Sequence, residues 1–349
     1  MDRLPAELHG LIFSEACSDG GHTGRSLTLV SKTIRAISAP YVLHSVALYG
    51  SSQLSAFAAF LAQRDPEESH IRHLFLTDRR RVWMERGTGE DQAAWVTNRM
   101  KQEQHLKDSM RRADAEPIAQ IMRAAAPRLR TLAFLLFDLY DEHTLPVHFP
   151  VLRELTLHAS SLAWRGAPSL SACDTLRRLH VIQDFSFPRA AVKTIVGLAP
   201  RLTHLRISRI TISRLSAGDL LAGLQRMLGE HAGPADAAQA AALPMFPSSL
   251  TLCIVQMGQQ ARYDNFGVLQ ILTSPTAYEL KDIAMRDTRR RIVMLHPKLW
   301  DTGAFASYET DIEYYVGVRM DWEERLVGEE GAWALDPAGI FAMNGADEE

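Results

Sequence analysis

Residues 152–157 read L-R-E-L-T-L, and the same spacing, Leu-x-x-Leu-x-apolar, occurs at three further places in this 349-residue chain. The other copies lie at residues 129–134, 176–181 and 202–207. The second leucines of successive copies are 23, 24 and 26 residues apart. Alternating apolar residues over so short a span indicate a half-buried strand, so the pattern predicts one strand per copy at a nearly constant period.

The period and the leucine spacing resemble those of leucine-rich repeats, which recur every 20 to about 29 residues. The resemblance implies an α/β solenoid with parallel strands, in which stacked repeats bury the leucines that a single repeat would expose. The usual Asn position is not filled consistently, so we expect an irregular solenoid over residues 45–300. An ordinary α/β domain with strands at similar spacing is the alternative.

Further repeat elements flank these four copies. Residues 46–48 and 74–76 predict strands, and residues 54–61 predict an amphipathic helix between them. A weaker copy at residues 250–252 follows Leu205 after a step that leaves room for one extra repeat or one insertion.

Two stretches interrupt the array. Residues 78–117 are rich in charged and polar side chains, which predicts an inserted loop with a helix. Residues 229–247 are rich in Gly, Ala and Pro, which predicts a mobile connection.

The first 44 residues have a helical period instead. Pro5 suits a first helical turn, and the apolar residues that follow it predict one stripe: Leu4, Leu8, Leu11, Ile12 and Ala16. Residues 19–21, Asp-Gly-Gly, predict the end of this helix, and Thr23 is a candidate cap for the next one. A second stripe predicts one continuous helix: Leu27, Val30, Ile34 and Ile37. Ser38 and Pro40 predict a short third helix that runs to Leu43.

These 44 residues resemble the F-box. The resemblance rests on the L-P-A-E-L start at residues 4–8, the apolar residues 11–13, the L-V-S-K block at residues 29–32 and Arg35. The block and the Gly-rich loop at residues 18–26 are similar to the form common in fungal F-box proteins. Ile34 stands where the family usually has Trp, and this loop is longer than usual.

The resemblance implies a module that docks a Skp-type adaptor and so joins the chain to a cullin-RING ubiquitin ligase. It carries the adaptor-binding role to eight positions: Leu4, Pro5, Leu8, Ile12, Phe13, Leu29, Val30 and Ile34. A helical cap that only closes the larger domain is the alternative for these residues.

Charge is distributed unevenly along the chain. The net charge is −3, but residues 301–349 carry 13 acidic residues against two arginines, which leaves residues 1–300 net positive. An acidic end of this kind serves solubility and neutralises basic stretches of the same chain, such as residues 289–291, or it docks a basic partner. Its aromatic content predicts a helix over about residues 308–328 that packs on the last repeat. The overall balance gives no reason to expect nucleic acid as a partner.

No catalytic, metal or cofactor motif stands out. The three cysteines lie far apart, which favours a reducing compartment, cytoplasmic or nuclear. Neither a signal peptide nor a membrane span is predicted. His70 and His73 lack further ligands at metal-binding spacing, and neither His143 nor His180 belongs to a nucleophile motif. We therefore expect a protein that is not an enzyme.

Strand parity predicts where a target would bind. If the second leucine of each repeat points inward, its neighbours point outward and form a polar, partly basic surface. The candidate target-binding residues are Thr156, His158, Arg178, His180, His204 and Arg206. The sequence thus predicts a non-catalytic receptor that brings a target protein to a ubiquitin ligase. A repeat scaffold without a ligase is the alternative.

Overall fold

The chain has an α/β fold made of two compact units. The computed structural model describes residues 4–65, 69–78, 115–136, 148–159, 172–183, 191–210, 214–229, 245–263, 269–272, 275–301, 306–335 and 340. Unit 1 comprises Met1–Arg153 and Ile312–Ala334, and unit 2 comprises Glu154–Asp311 and Leu335–Glu349. This division differs from the predicted segments 1–44, 45–300 and 301–349, because the first helices and part of the acidic end belong to one unit.

Among the described residues, unit 1 contains three N-terminal helices, three strands with two helices between them, and a returning helix. The elements are α1 (Ala6–Ala16), α2 (His22–Val30), α3 (Lys32–Ser38), β1 (Ser45–Tyr49), α4 (Gly50–Ala62), β2 (His73–Thr77), α5 (Ala115–Ala125), β3 (Thr131–Leu135) and α9 (Ala306–Leu326), which enters unit 1 at Ile312. A 3-10 turn, Gly331–Trp333, follows α9.

The strands of unit 1 are parallel and follow the order of the chain. β1 pairs with β2 and β2 with β3, so that Val46, Leu74 and Leu132 stand side by side and are buried. α4 contacts both β1 and α5. The parallel strands and the connecting helices predicted for this region are confirmed. Because β2 pairs directly with β3, the insertion between them adds no strand there; its residues 79–114 lie outside the described residues.

The loop between α1 and α2 covers the free edge of β1. The Gly20 N–H donates to Ser45 Oγ at 3.0 Å, and Ser45 Oγ donates to the Cys17 carbonyl at 2.6 Å. The Ala47 N–H donates to the Gly20 carbonyl at 3.3 Å. An open strand edge is a template for unwanted pairing, so this loop both links two helices and protects the sheet.

The helix near the acidic end forms as expected but packs elsewhere. Its Trp322 is buried, with its ring centroid 5.6 Å from that of Phe75 on β2. The Arg319 guanidinium lies 5.6 Å from the centroid of the Tyr49 ring on β1. The prediction that this helix packs on the last repeat is therefore wrong: it covers the first strands.

The helices at the N-terminus differ in detail from their prediction. The second helix is not continuous, because Ser31 adopts an extended conformation and its side chain accepts a hydrogen bond from the Ile34 N–H. Residues 39–43 form turns instead of a third helix. Asp19, not Thr23, supplies the cap of α2, since its carboxylate accepts the Thr23 N–H at 2.8 Å.

Unit 2 contains six strands and three helices among its described residues. The elements are β4 (Glu154–His158), β5 (Arg178–Ile182), α6 (Ala191–Leu198), β6 (His204–Ile210), α7 (Arg214–Met227), β7 (Leu252–Tyr263), β8 (Leu269–Leu272), α8 (Pro275–Arg286) and β9 (Ile292–Asp301).

The sheet of unit 2 begins regularly and then departs from the repeat pattern. Leu155, Leu179, Leu205 and Cys253 lie in one row across four parallel strands, and each is at most 1% exposed. β6 pairs directly with β7, so the long step before residue 252 is an insertion and not an extra repeat strand. β8 is antiparallel to β7, whereas β9 pairs with β7 in parallel. The predicted mobile connection falls mainly on residues 230–244, outside the described residues.

Two histidines are packed together inside unit 1. The rings of His44 and His73 lie 5.8 Å apart, and His73 Nδ1 is 2.9 Å from Thr131 Oγ1 on the next strand. Burial, followed by the charges of nearby arginines, lowers the pKa of His44 to about 4. Burial, then His44, Arg130, Arg72 and Arg325, lowers the pKa of His73 to about 3. Both rings are therefore neutral in the folded protein at neutral pH.

We expect Trp322→Ala to reduce the free energy of unfolding by about 3–5 kcal/mol, because it removes a buried ring from its contact with Phe75. Met320 lies on the same helix with its side chain 53% exposed. Met320→Ala should therefore stay within about 0.5 kcal/mol of the parent. Urea denaturation followed by far-UV circular dichroism measures both; equal losses for the two variants would contradict the packing described.

Acidification should destabilise the protein through the histidine pair. Below pH 6.5 the unfolded chain takes up protons on His44 and His73, whereas the folded chain does so only near pH 4 and pH 3. The free energy of unfolding should thus fall as the pH decreases from 7 to 5. In His73→Gln this fall should be smaller by up to about 2 kcal/mol. His22→Gln, at an exposed position, is the matched control, and a fall reduced equally in this control would contradict the assignment.

Candidate functional site

An exposed apolar surface lies on the first two helices. Leu8 and Ile12 on α1 are 44% and 51% exposed, and Leu29 and Val30 at the end of α2 are 81% and 65% exposed. We define the apolar surface of α1 and α2 by these four residues together with Leu4 and Leu11, which are also exposed. Leu11 was predicted as part of the helical stripe but not as an adaptor-binding residue.

The opposite side of α1 holds the helix in unit 1. His9, Phe13 and Cys17 recur at every fourth position and are buried. The rings of His9 and Phe13 stack with centroids 6.0 Å apart, and burial, then Asp19, raises the pKa of the Cys17 thiol to about 11. α1 therefore carries two apolar stripes, of which only one is used inside the protein.

Two of the predicted adaptor-binding residues belong to the inner side. Phe13 is 3% exposed and Ile34 on α3 is 8% exposed, so both side chains are covered by this chain. They support the apolar surface from beneath and are not part of it. The sequence pattern could not show which stripe of α1 is buried, because both contain apolar residues at helical spacing.

The break between α2 and α3 presents Leu29 and Val30. Ser31 ends one helix and caps the next, since its Oγ accepts the Ile34 N–H at 3.1 Å. The Arg35 Nε donates to the Thr28 carbonyl at 2.7 Å, which ties α3 to the last turn of α2. Ser31 and Arg35, two of the residues that carry the F-box resemblance, thus fix the local geometry of the neighbouring apolar pair.

Gly24 allows α2 to approach the chain that leads into β1. A Cβ atom at this position would lie 2.5 Å from the Val42 carbonyl oxygen and 3.0 Å from the Val42 Cα. Since these are backbone atoms, a larger residue would push α2 away from residues 41–44. α2 therefore packs directly against this part of the backbone.

The exposed apolar residues are concentrated in this region. Of thirteen large apolar side chains that are exposed among the described residues, six belong to residues 4–30. Single exposed apolar residues are ordinary on a protein surface, but a cluster of them favours contact with another molecule. The arrangement is suited to protein binding: its groups are aliphatic, and none of the six can transfer a proton or bind a metal.

The predicted target-binding residues of unit 2 are less accessible than expected. His158 and His180 are buried, which is a correction to their prediction as outward-facing residues. The other four, Thr156, Arg178, His204 and Arg206, are half-buried. A position beside an inward-facing leucine therefore does not guarantee exposure to solvent.

Several of these side chains bond to other residues of the sheet. His180 Nε2 lies 2.7 Å from Ser208 Oγ, and Arg206 Nε donates to the same hydroxyl at 3.3 Å. Arg178 and Glu154 form an ion pair at 4.0 Å. Burial, then the charge of Arg206, lowers the pKa of His180 well below its ordinary value. The contacts of His180 and Arg178 join adjacent strands, so they stabilise the sheet.

Other kinds of site receive no support within the described residues. No group of three His, Cys, Asp or Glu side chains that could hold a metal ion occurs there. Within the same parts of the chain, no helix combines the length and the apolar character needed to cross a membrane. His143 lies outside the described residues.

Relatives do not identify the site. Comparisons with protein-family models, with curated proteins and with solved structures each found no match for this chain. The resemblance of residues 4–35 to the F-box therefore stays a prediction, to be judged with the geometry of α1, α2 and α3.

Proposed function

We propose that the chain is a non-catalytic substrate receptor of a cullin-RING ubiquitin ligase, with α1–α3 acting as an F-box that docks a Skp-type adaptor. The rest of the chain, with its leucine-rich-repeat-like strands, would bind the target protein. Holding a target beside the ligase raises its effective concentration there, which requires no catalytic group in this chain.

The exposure of Leu8, Ile12, Leu29 and Val30 is the observation that carries this proposal. Six of the eight adaptor-binding positions implied by the resemblance, namely Leu4, Pro5 and these four, lie on the surface. Burial of apolar area stabilises a protein or a complex by about 25 cal/mol per Å². The exposed stripe gains this stabilisation only when a partner covers it. An adaptor that contributes an apolar groove fits this chemistry.

The first 44 residues are also part of unit 1. Ser45 and Ala47 on β1 bond to Cys17 and Gly20, and Phe13 and Cys17 are buried. Deleting residues 1–44 would therefore uncover the sheet edge and part of the interior, besides removing the apolar surface. Substitutions of exposed residues separate adaptor docking from folding more cleanly.

We expect Leu8→Asp to weaken binding of a purified Skp-type adaptor about 30-fold or more, because it places a charge in an apolar contact. Isothermal titration calorimetry with the full-length chain gives the affinity. Since Leu8 is 44% exposed, the same substitution should change the melting temperature little.

Val327→Asp is the matched control, because Val327 is 63% exposed, belongs to unit 1 and lies outside the apolar surface of α1 and α2. Its adaptor affinity should equal that of the parent. Adaptor binding that is absent in the parent, or unchanged in Leu8→Asp, would contradict the proposal and favour a repeat scaffold without a ligase.

A further inference from the structure

Three arginines of unit 1 lie in one row, each directly before the first residue of a strand. Arg72, Arg130 and Arg153 each follow a buried apolar residue at the start of the repeat motif. The Arg130 N–H donates to the Arg72 carbonyl at 2.7 Å, and the Arg153 N–H donates to the Arg130 carbonyl at 2.8 Å. Neighbouring strands lie about 4.8 Å apart, so the row has one positive side chain at each step of that length.

None of the described acidic residues neutralises the three guanidinium groups. No ion pair or side-chain hydrogen bond engages Arg72, Arg130 or Arg153 within the described part of the chain. Arg130 and Arg153 are exposed, and Arg72 is half-buried. Burial, followed by the charges of Arg72 and Arg153, lowers the pKa of Arg130, as expected for like charges at close range.

In unit 2, the residue that follows the first leucine of the motif has a different role. Arg177 donates to the carbonyl groups of Asp174 and Leu176 at 2.7 and 3.1 Å. Thr203 and Thr251 donate their hydroxyls to the carbonyl of the residue before them in the row, at 2.9 and 3.0 Å. These side chains bond to nearby backbone carbonyl groups. Folding of the repeat therefore does not require an unpaired arginine at this position.

We propose that Arg72, Arg130 and Arg153 form a binding surface for an acidic polypeptide segment. Like charges on neighbouring strands repel one another, and a chain of carboxylates relieves that repulsion. The planar guanidinium group matches a carboxylate with two parallel hydrogen bonds. None of the three arginines is among the adaptor-docking residues or the target-binding residues predicted on unit 2.

A protein partner fits the surroundings of the row better than a nucleic acid does. Binding of a single-stranded nucleic acid generally combines basic residues with exposed aromatic rings on which the bases stack. Among the described residues, the large exposed aromatic side chains are Phe60, whose ring centroid lies 4.4 Å from the Arg64 guanidinium, and Tyr278 of unit 2. Neither is part of the arginine row.

The test is fluorescence anisotropy of a labelled ten-residue glutamate peptide with the full-length chain in 50 mM salt. The parent should bind the peptide, and raising the salt to 200 mM should weaken binding, because the contacts are largely exposed. Arg130→Gln should weaken binding about tenfold, and the triple variant with Gln at all three positions should abolish it. In the absence of peptide, Arg130→Gln should raise the melting temperature by about 1–2 °C through relief of repulsion.

Arg123→Gln is the control, since Arg123 is exposed in unit 1 but already forms an ion pair with Glu116 at 2.8 Å. It should leave the peptide affinity within about twofold of the parent. No binding by the parent, an equal loss in Arg123→Gln, or equal or tighter binding of a ten-nucleotide single-stranded RNA would each overturn the proposal. None of these measurements involves the adaptor, so their outcome is independent of the proposed ligase role.

Discussion

The in-register stacking of buried leucines is the constraint on which both units depend. In each repeat the second leucine of the motif, or Cys253 in the last case, meets its counterpart on the adjacent parallel strand and is removed from water. A shift by one residue would turn every leucine to the other face, so the row fixes the register of all neighbouring positions. That register places the arginines of unit 1 in one line and brings His180 beside Ser208 in unit 2.

The sequence predicts this sheet well because its signal is periodic and local. The strands that follow Leu129, Leu152, Leu176 and Leu202 all form where their spacing places them. The helix breaks are less predictable: Val30 and Ile34 share a helical spacing, yet the extended conformation of Ser31 separates them. A side-chain cap at one residue outweighs an apolar period that would otherwise continue.

Burial was harder to predict than secondary structure, since it depends on contacts between distant parts of the chain. Phe13 lies off the main stripe of α1, yet it is buried while the main stripe is exposed. His158 and His180 have the parity of surface residues and are nevertheless covered. The arginine row likewise depends on contacts between distant parts of the chain. The sequence contains Arg after an apolar residue three times: Ile71-Arg72, Leu129-Arg130 and Leu152-Arg153. Only the aligned strands show that these arginines lie in one row.

The contact between Trp322 and Phe75 delays the completion of unit 1 during protein synthesis. A ribosome releases the first three strands long before it adds Trp322, so a nascent chain holds Phe75 and Tyr49 without the helix that covers them. Unit 1 reaches its final state only after nearly all of unit 2 has been translated. An incomplete translation product would thus display an aromatic patch beside β1, the kind of surface that chaperones bind, and quality control could distinguish it from the finished protein.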